Sequence, residues 1–157
     1  MDTFENQAFL LAEDSENDVF LMQRAFQSAG VRNPLYVVPD GEQVISFLKG
    51  EGQYKRSEYP LPLVVLLDLN LPRKSGFEVL TWIRSQPTLR RIVVMILTSS
   101  NRSADADRAY DLGANFYLTK PGKFEDLVKL AKCLHEWVQL NHFPSVTDPA
   151  SEAALRR

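Results

Sequence analysis

Leu63-Val64-Val65-Leu66-Leu67-Asp68 leads an unbroken apolar run into a carboxylate, and Ile92-Val93-Val94-Met95-Ile96-Leu97 leads another into Thr98-Ser99. Neither stretch alternates apolar with polar residues. A strand with one wet face alternates, whereas a strand covered on both faces does not. Both therefore belong in a parallel sheet with helices on either side.

Three shorter apolar runs keep the same company. Phe9-Leu10-Leu11-Ala12 leads to Glu13-Asp14, then to a helical face of Val19, Met22, Phe26 and Ala29, with Asp14 or Ser15 to cap its start and Gly30 to stop it. Leu35-Tyr36-Val37-Val38 leads to Asp40 and a helix carrying Val44, Phe47 and Leu48, ended by Gly50. Phe116-Tyr117-Leu118 leads to Lys120-Pro121 and a last helix from Phe124 to about Asn141, in which Leu127, Val128, Ala131, Leu134 and Val138 form a helical stripe. A helix from about Gly76 to Arg84 follows the Leu63 run, and one ending near Leu112-Gly113 follows the Ile92 run. Five strands each followed by a helix make an α/β fold of (βα)5 type, a doubly wound parallel five-stranded sheet.

This repeat occupies residues 9–142, after an N-terminal extension over 1–8. Two segments stand outside it. Residues 50–62 form a polar connection longer than the usual link, which points to function or disorder. Residues 143–157, rich in Ser, Pro and Ala, are expected to be a flexible C-terminal tail, too short for an output domain.

The 157 residues are 45% hydrophobic and 24% charged, with 18 Lys+Arg against 20 Asp+Glu and a net charge of −2. That balance argues against nucleic acid as a partner. Cys133 is the only cysteine, so an internal disulfide is impossible and a reducing compartment fits; its place on the last helix suggests a buried or half-buried thiol. His135 and His142 read as surface residues. With neither a secretory leader nor a span of about 20 apolar residues, the expected location is cytoplasmic, with no membrane association.

The chemistry lies just past the strands. Glu13-Asp14, Asp68, Thr98-Ser99 and Lys120-Pro121 each follow a strand, and in a parallel sheet all four points share one edge, where such folds bind ligands. Clustered carboxylates repel unless a cation sits among them, and an all-oxygen set suits Mg²⁺. A metal-bound carboxylate beside a lysine and a hydroxyl is suited to phosphoryl transfer.

The order Leu10-Leu11-Ala12-Glu13-Asp14, Leu67-Asp68-Leu69-Asn70-Leu71-Pro72…Gly76, Leu97-Thr98-Ser99 and Tyr117-Leu118-Thr119-Lys120-Pro121 resembles the receiver domain of two-component response regulators. The resemblance implies a flavodoxin-like fold with strand order 2-1-3-4-5. It implies Asp68 as phosphoacceptor, and Mg²⁺ held by Glu13, Asp14, Asp68 and the backbone carbonyl of Asn70. Thr98 and Tyr117 would form a switch pair, Lys120 would contact the phosphoryl group, and the Lys120–Pro121 bond would be cis. The long connection with Gly50-Glu51-Gly52-Gln53-Tyr54 and the Gln86-Pro87-Thr88-Leu89-Arg90-Arg91 run further resemble stand-alone regulators paired with bacterial phytochromes. The implied partners are a phytochrome-type sensor histidine kinase, an unidentified downstream protein and a second copy of the chain. The copies would meet on a face of the fourth helix, fifth strand and fifth helix that includes Trp137 and Phe143.

Each residue has a plainer role open to it. Asp68 could form a turn, Glu13-Asp14 could favour a helix start, Thr98 could cap a helix, and Trp137 and Phe143 could pack on their own domain. No structural need places these types together at four strand ends, which favours the site. Two other readings are the regulator of a non-photoreceptor kinase and an aspartate-nucleophile phosphatase. The phosphatase needs a second Asp two residues after the nucleophile, where this chain has Asn70, so the expectation is a phosphoacceptor and not an enzyme.

Overall fold

Short polar side chains set where the helices begin. Ser15, extended at φ −78°, accepts the amide of Asp18 and starts α1 (Glu16–Ser28). Asp40 does the same for Gln43 and starts α2 (Gly41–Lys49). Ser75 and Glu78 exchange side-chain and backbone hydrogen bonds in a capping box that opens α3 (Gly76–Ser85). The computed structural model describes residues 7–157, without the side chains of 152–154. Its remaining elements are β1 (Phe9–Ala12), β2 (Leu35–Val38), β3 (Val64–Leu67), β4 (Val93–Thr98), α4 (Ser103–Asp111), β5 (Phe116–Thr119), α5 (Phe124–Leu140) and α6 (Pro149–Leu155).

The five strands form one parallel sheet in the order β2-β1-β3-β4-β5, the flavodoxin-like arrangement expected. Successive residues of a strand face opposite sides. Leu10, Val65, Leu67, Val94 and Ile96 therefore pack with Val44, Phe47, Leu80 and Ile83 of α2 and α3. Phe9, Leu11, Leu66, Met95 and Leu97 pack with Met22, Phe26, Leu127 and Leu134 of α1 and α5. All of β1, β3 and β4 is buried, which explains their unbroken apolar runs. The edge strand β5 is half-exposed.

Register fixes the site. Ala12 lies beside Leu67 and Leu67 beside Ile96, while Thr98 lies beside Thr119. The amide of Asp68 donates to Ala12 O at 3.2 Å and that of Lys120 to Thr98 O at 2.7 Å. The residues that follow these strands thus leave the sheet level with one another.

Four expectations need correction. Residues 50–62 form a built layer: Tyr54 and Tyr59 interlock with Tyr36 and Phe47 at ring-centre distances of 5.2 to 5.7 Å. The Tyr54 hydroxyl donates to Gln43 Oε1, and Arg56 donates to the carbonyls of Phe47, Leu48 and Tyr59. Beyond α5 the chain is more than a flexible tail, because Arg56 pairs with Asp148 at 2.9 Å, Val146 packs on the core and α6 lies against α2. Cys133 is exposed, since the buried stripe of α5 passes through Leu127, Ala131, Leu134 and Val138. The Lys120–Pro121 peptide is trans, as every described peptide is; trans keeps an advantage of about 0.5–1 kcal/mol even before proline.

Candidate functional site

Glu13 and Asp68 are buried at 4% and 5% exposure, and Asp14 stands exposed beside them. The three residues can each present an oxygen such that all lie within 4.8 Å of one another. Lys120, entering from the end of β5, places Nζ 2.5 Å from Glu13, 2.9 Å from Asp18 and 3.0 Å from Asp68. The Glu13 carboxylate is held on its other oxygen by the amide of Ser15 at 3.0 Å, and Asp68 by the amide of Asn70 at 3.2 Å. Gly76 backs this loop so closely that a Cβ there would sit 2.3 Å from the Asp68 carbonyl. No side chain fits at that position.

The charges set one another. Burial pushes Glu13 up to about 7, and Asp68 beside it adds to the rise, against the pull of Lys120 and the Ser15 amide. Asp68 is also penalised by burial, yet hydrogen bonds from Lys120, Glu13 and the Asn70 amide outweigh that penalty and hold it below the usual carboxylate range. Lys120 feels the same burial, but Asp18, Glu13 and Asp68 keep its ammonium charged far above the normal lysine range. One ammonium among four carboxylates leaves the pocket negative. An oxygen-only donor set with surplus negative charge fits a hard divalent cation such as Mg²⁺, which keeps several of its waters.

Thr98, fully buried at the end of β4, accepts the Ser100 amide at 3.4 Å. The half-buried Tyr117 donates its hydroxyl to the Ser100 carbonyl at 3.1 Å. Ser100 in turn donates to Asp105 at 2.6 Å, and Arg102 grips both oxygens of Asp105 at 3.1 and 3.0 Å.

Comparison with known proteins decides what such an edge belongs to. The model of the response regulator receiver domain matches residues 9–132. The chain belongs to that family. It is 37% identical over 140 residues to the response regulator Rcp1 of the cyanobacterium Synechocystis, covering 88% of this chain and 94% of Rcp1. A crystal structure of the Mn²⁺-bound form of Rcp1 superposes with a TM-score of 0.78 at 36% identity, covering 88% of this chain and 99% of that one. The phosphorylated cyanobacterial phytochrome response regulator RcpA superposes with a TM-score of 0.80 at 36% identity, covering 89% and 99%. The chain is also 38% identical over 136 residues to the probable methanogenesis regulatory protein FilR2 of the archaeon Methanothrix harundinacea, covering 86% of each.

In this receiver domain the structure brings Glu13, Asp14, Asp68 and Lys120 together, and Asn70 joins them through its backbone amide. Thr98 and Tyr117 share no hydrogen bond; they meet through Ser100, from its amide and its carbonyl respectively. Sequence reading missed Asp18. As an acid in the first turn of α1 it looks like a response to the helix dipole, but it lies one turn beyond Asp14 and so overhangs the same pocket. Trp137 does pack within its own domain, stacked edge-on between Phe116 at 5.7 Å and Phe143 at 5.2 Å.

Proposed function

We propose that this receiver takes a phosphoryl group onto Asp68 from the phosphohistidine of a sensor histidine kinase, with Mg²⁺ held by Glu13, Asp14, Asp68 and the Asn70 carbonyl. The observation that carries this reading is Lys120 Nζ bridging Asp68 and Glu13, because it fixes the nucleophile and a phosphate-binding cation 3.0 Å apart. An Asp68 oxygen attacks phosphorus in line as the phosphorus–nitrogen bond to the kinase histidine breaks; the departing nitrogen keeps the electron pair. Lys120 exchanges a carboxylate contact for an equatorial oxygen of the phosphoryl group, and the Thr98 hydroxyl donates to another. Bound Mg²⁺ supplies the remaining charge neutralisation at those oxygens. Water later attacks phosphorus, inorganic phosphate leaves and the Asp68 carboxylate returns, so the state is transient and the protein is a phosphoacceptor without turnover on an outside substrate.

The signal is a population shift. When Thr98 turns to the phosphoryl oxygens, the Ser100 amide loses its acceptor, and Tyr117 leaves the Ser100 carbonyl for the space behind Thr98. Likeness to Rcp1 and RcpA supports a phytochrome-type kinase, while the similar identity to FilR2 supports a kinase of another kind. We take the phytochrome pairing as the first to test, with dimerisation through α4, β5 and α5 and a cytoplasmic location. No helix among the described residues is long and apolar enough to cross a membrane.

Incubation with ³²P-loaded histidine kinases, phytochrome-type among them, tests the reading. The expected result is acid-stable, alkali-labile label that appears only with Mg²⁺ and is absent from Asp68→Asn. Label retained on Asp68→Asn sinks the site assignment; transfer only from non-photoreceptor kinases sinks the phytochrome pairing alone.

A further inference from the structure

At the opposite edge of the sheet, where the strands begin, the irregular segment 143–147 separates two adjoining clefts. Its side chains sort between them. Phe143, Pro144 and Val146 line a cavity of about 210 Å³ walled by Leu61, Leu63 and Ile92, whereas Ser145 and Thr147 line one of about 200 Å³ walled by Thr88, Arg90 and Arg91. The first is lined by apolar residues apart from Gln7. Beside the second, Arg90 and Arg91 form no ion pair with a carboxylate among the described residues. Residues 143–147 likewise make no backbone–backbone hydrogen bond among the described residues.

These features are preformed. Arg84 reaches out from α3 and donates to the carbonyls of Arg90 and Ile92 at 3.0 and 2.7 Å, which fixes the loop presenting both guanidiniums. An apolar cavity beside two guanidiniums that form no ion pair among the described residues is complementary to one kind of occupant.

We propose that this edge docks an acidic, extended peptide segment of a partner protein. A bulky apolar side chain of the peptide fills the cavity, and carboxylates on neighbouring residues meet Arg90 and Arg91 in charge-assisted hydrogen bonds. The surface lies a full strand length from Asp68, so docking does not compete with the phosphoryl site and serves as a tether.

The test titrates the full chain into a fluorescein-labelled decapeptide of Glu and Asp around a central Phe, read by anisotropy, with amide shifts mapped by NMR. Saturable binding is expected, with shifts at Ile92, Val93 and Val146. Affinity should fall roughly tenfold or more in the Arg90→Glu, Arg91→Glu double variant, and again when the central Phe is replaced by Ser. Asp68→Asn should bind as the natural chain does, which separates this outcome from any failure at the phosphoryl site. Equal affinity for the Ser peptide or for the double variant overturns the proposal, as does an absence of shifts at the cavity. Binding that appears only after residues 1–6 are deleted assigns the clefts to the chain's own N-terminus, and altered sedimentation of the unliganded double variant assigns them to a second copy; either result overturns the peptide reading.

Discussion

Lys120 and Arg84 are both partly buried cations near the ends of strands, and they live in opposite surroundings. Lys120 is held by three carboxylates, from β1's end, α1 and β3's end. Among the described residues Arg84 meets only neutral oxygens: the carbonyls of Gly113, Arg90 and Ile92 and the side chain of Asn115, at 2.7 to 3.0 Å. Burial lowers the Arg84 pKa with no carboxylate to offset it, whereas carboxylates raise that of Lys120. The first arrangement is unbalanced, because its carboxylates outnumber its cation and await another. The second is complete and stitches α3 to the start of β4 and the turn before β5. Unbalanced charge marks where chemistry is expected; satisfied charge marks scaffold.

Replacing each cation should separate the two roles. Lys120→Met is expected to cut phosphoryl transfer to Asp68 by roughly 10²–10³-fold, as loss of one preorganised charge donor does. Stopped-flow measurement of acetyl phosphate or kinase-driven phosphorylation checks this, and a change under fivefold removes Lys120 from the mechanism. Arg84→Met is expected to lower stability by about 3 kcal/mol by orphaning several carbonyls, leaving the transfer rate of the folded fraction unchanged. Urea unfolding reads the first quantity, and the same stopped-flow assay reads the second.

A smaller effect follows from Glu13. Its folded pKa of about 7 lies above the ordinary glutamate value of 4.5, so the metal-free fold favours the protonated acid. The stability gained is complete below the unfolded value and is lost as pH rises through about 7. Asp68, shifted down, and Lys120, shifted up, change proton occupancy outside this window. Thermal scans of the metal-free protein should therefore show the melting temperature falling by roughly 5 °C between pH 5.5 and 8. Mg²⁺ must displace the Glu13 proton, so its affinity should climb with pH up to about 7 and then level off, and Glu13→Gln should abolish that slope.

The smallest change is at the switch. Asp105→Ala removes the partner of Ser100 and Arg102 while touching no phosphoryl-site residue. The Tyr117 ring resonances should shift toward those of the beryllofluoride-bound form with the melting temperature unmoved. Unchanged resonances would show that Ser100 holds Tyr117 without help from Asp105.

How much of this was legible in the sequence depended on range. The strands and the residues following them could be read because a strand buried on both faces writes an unbroken run, and a parallel sheet aligns its ends. Asp18 could not, since a helix-start acid has a local explanation that hides its reach across to Lys120. The layer over 50–62 was illegible for a different reason. Tyr54 and Tyr59 follow neither helical nor strand spacing, and only the folded loop shows them meeting Phe47. Cys133 was misplaced because a residue between two apolar neighbours on a helix can still face away from the stripe they define.

The contacts of Lys120 span 107, 102 and 52 positions of the chain. The pocket's cation therefore arrives late: a nascent polypeptide still lacking β5 has every acid of the pocket but no ammonium among them. Under the proposed transfer, a partly synthesised or locally opened molecule would be a poorer target by the factor expected for Lys120→Met, so the reaction would favour completed molecules.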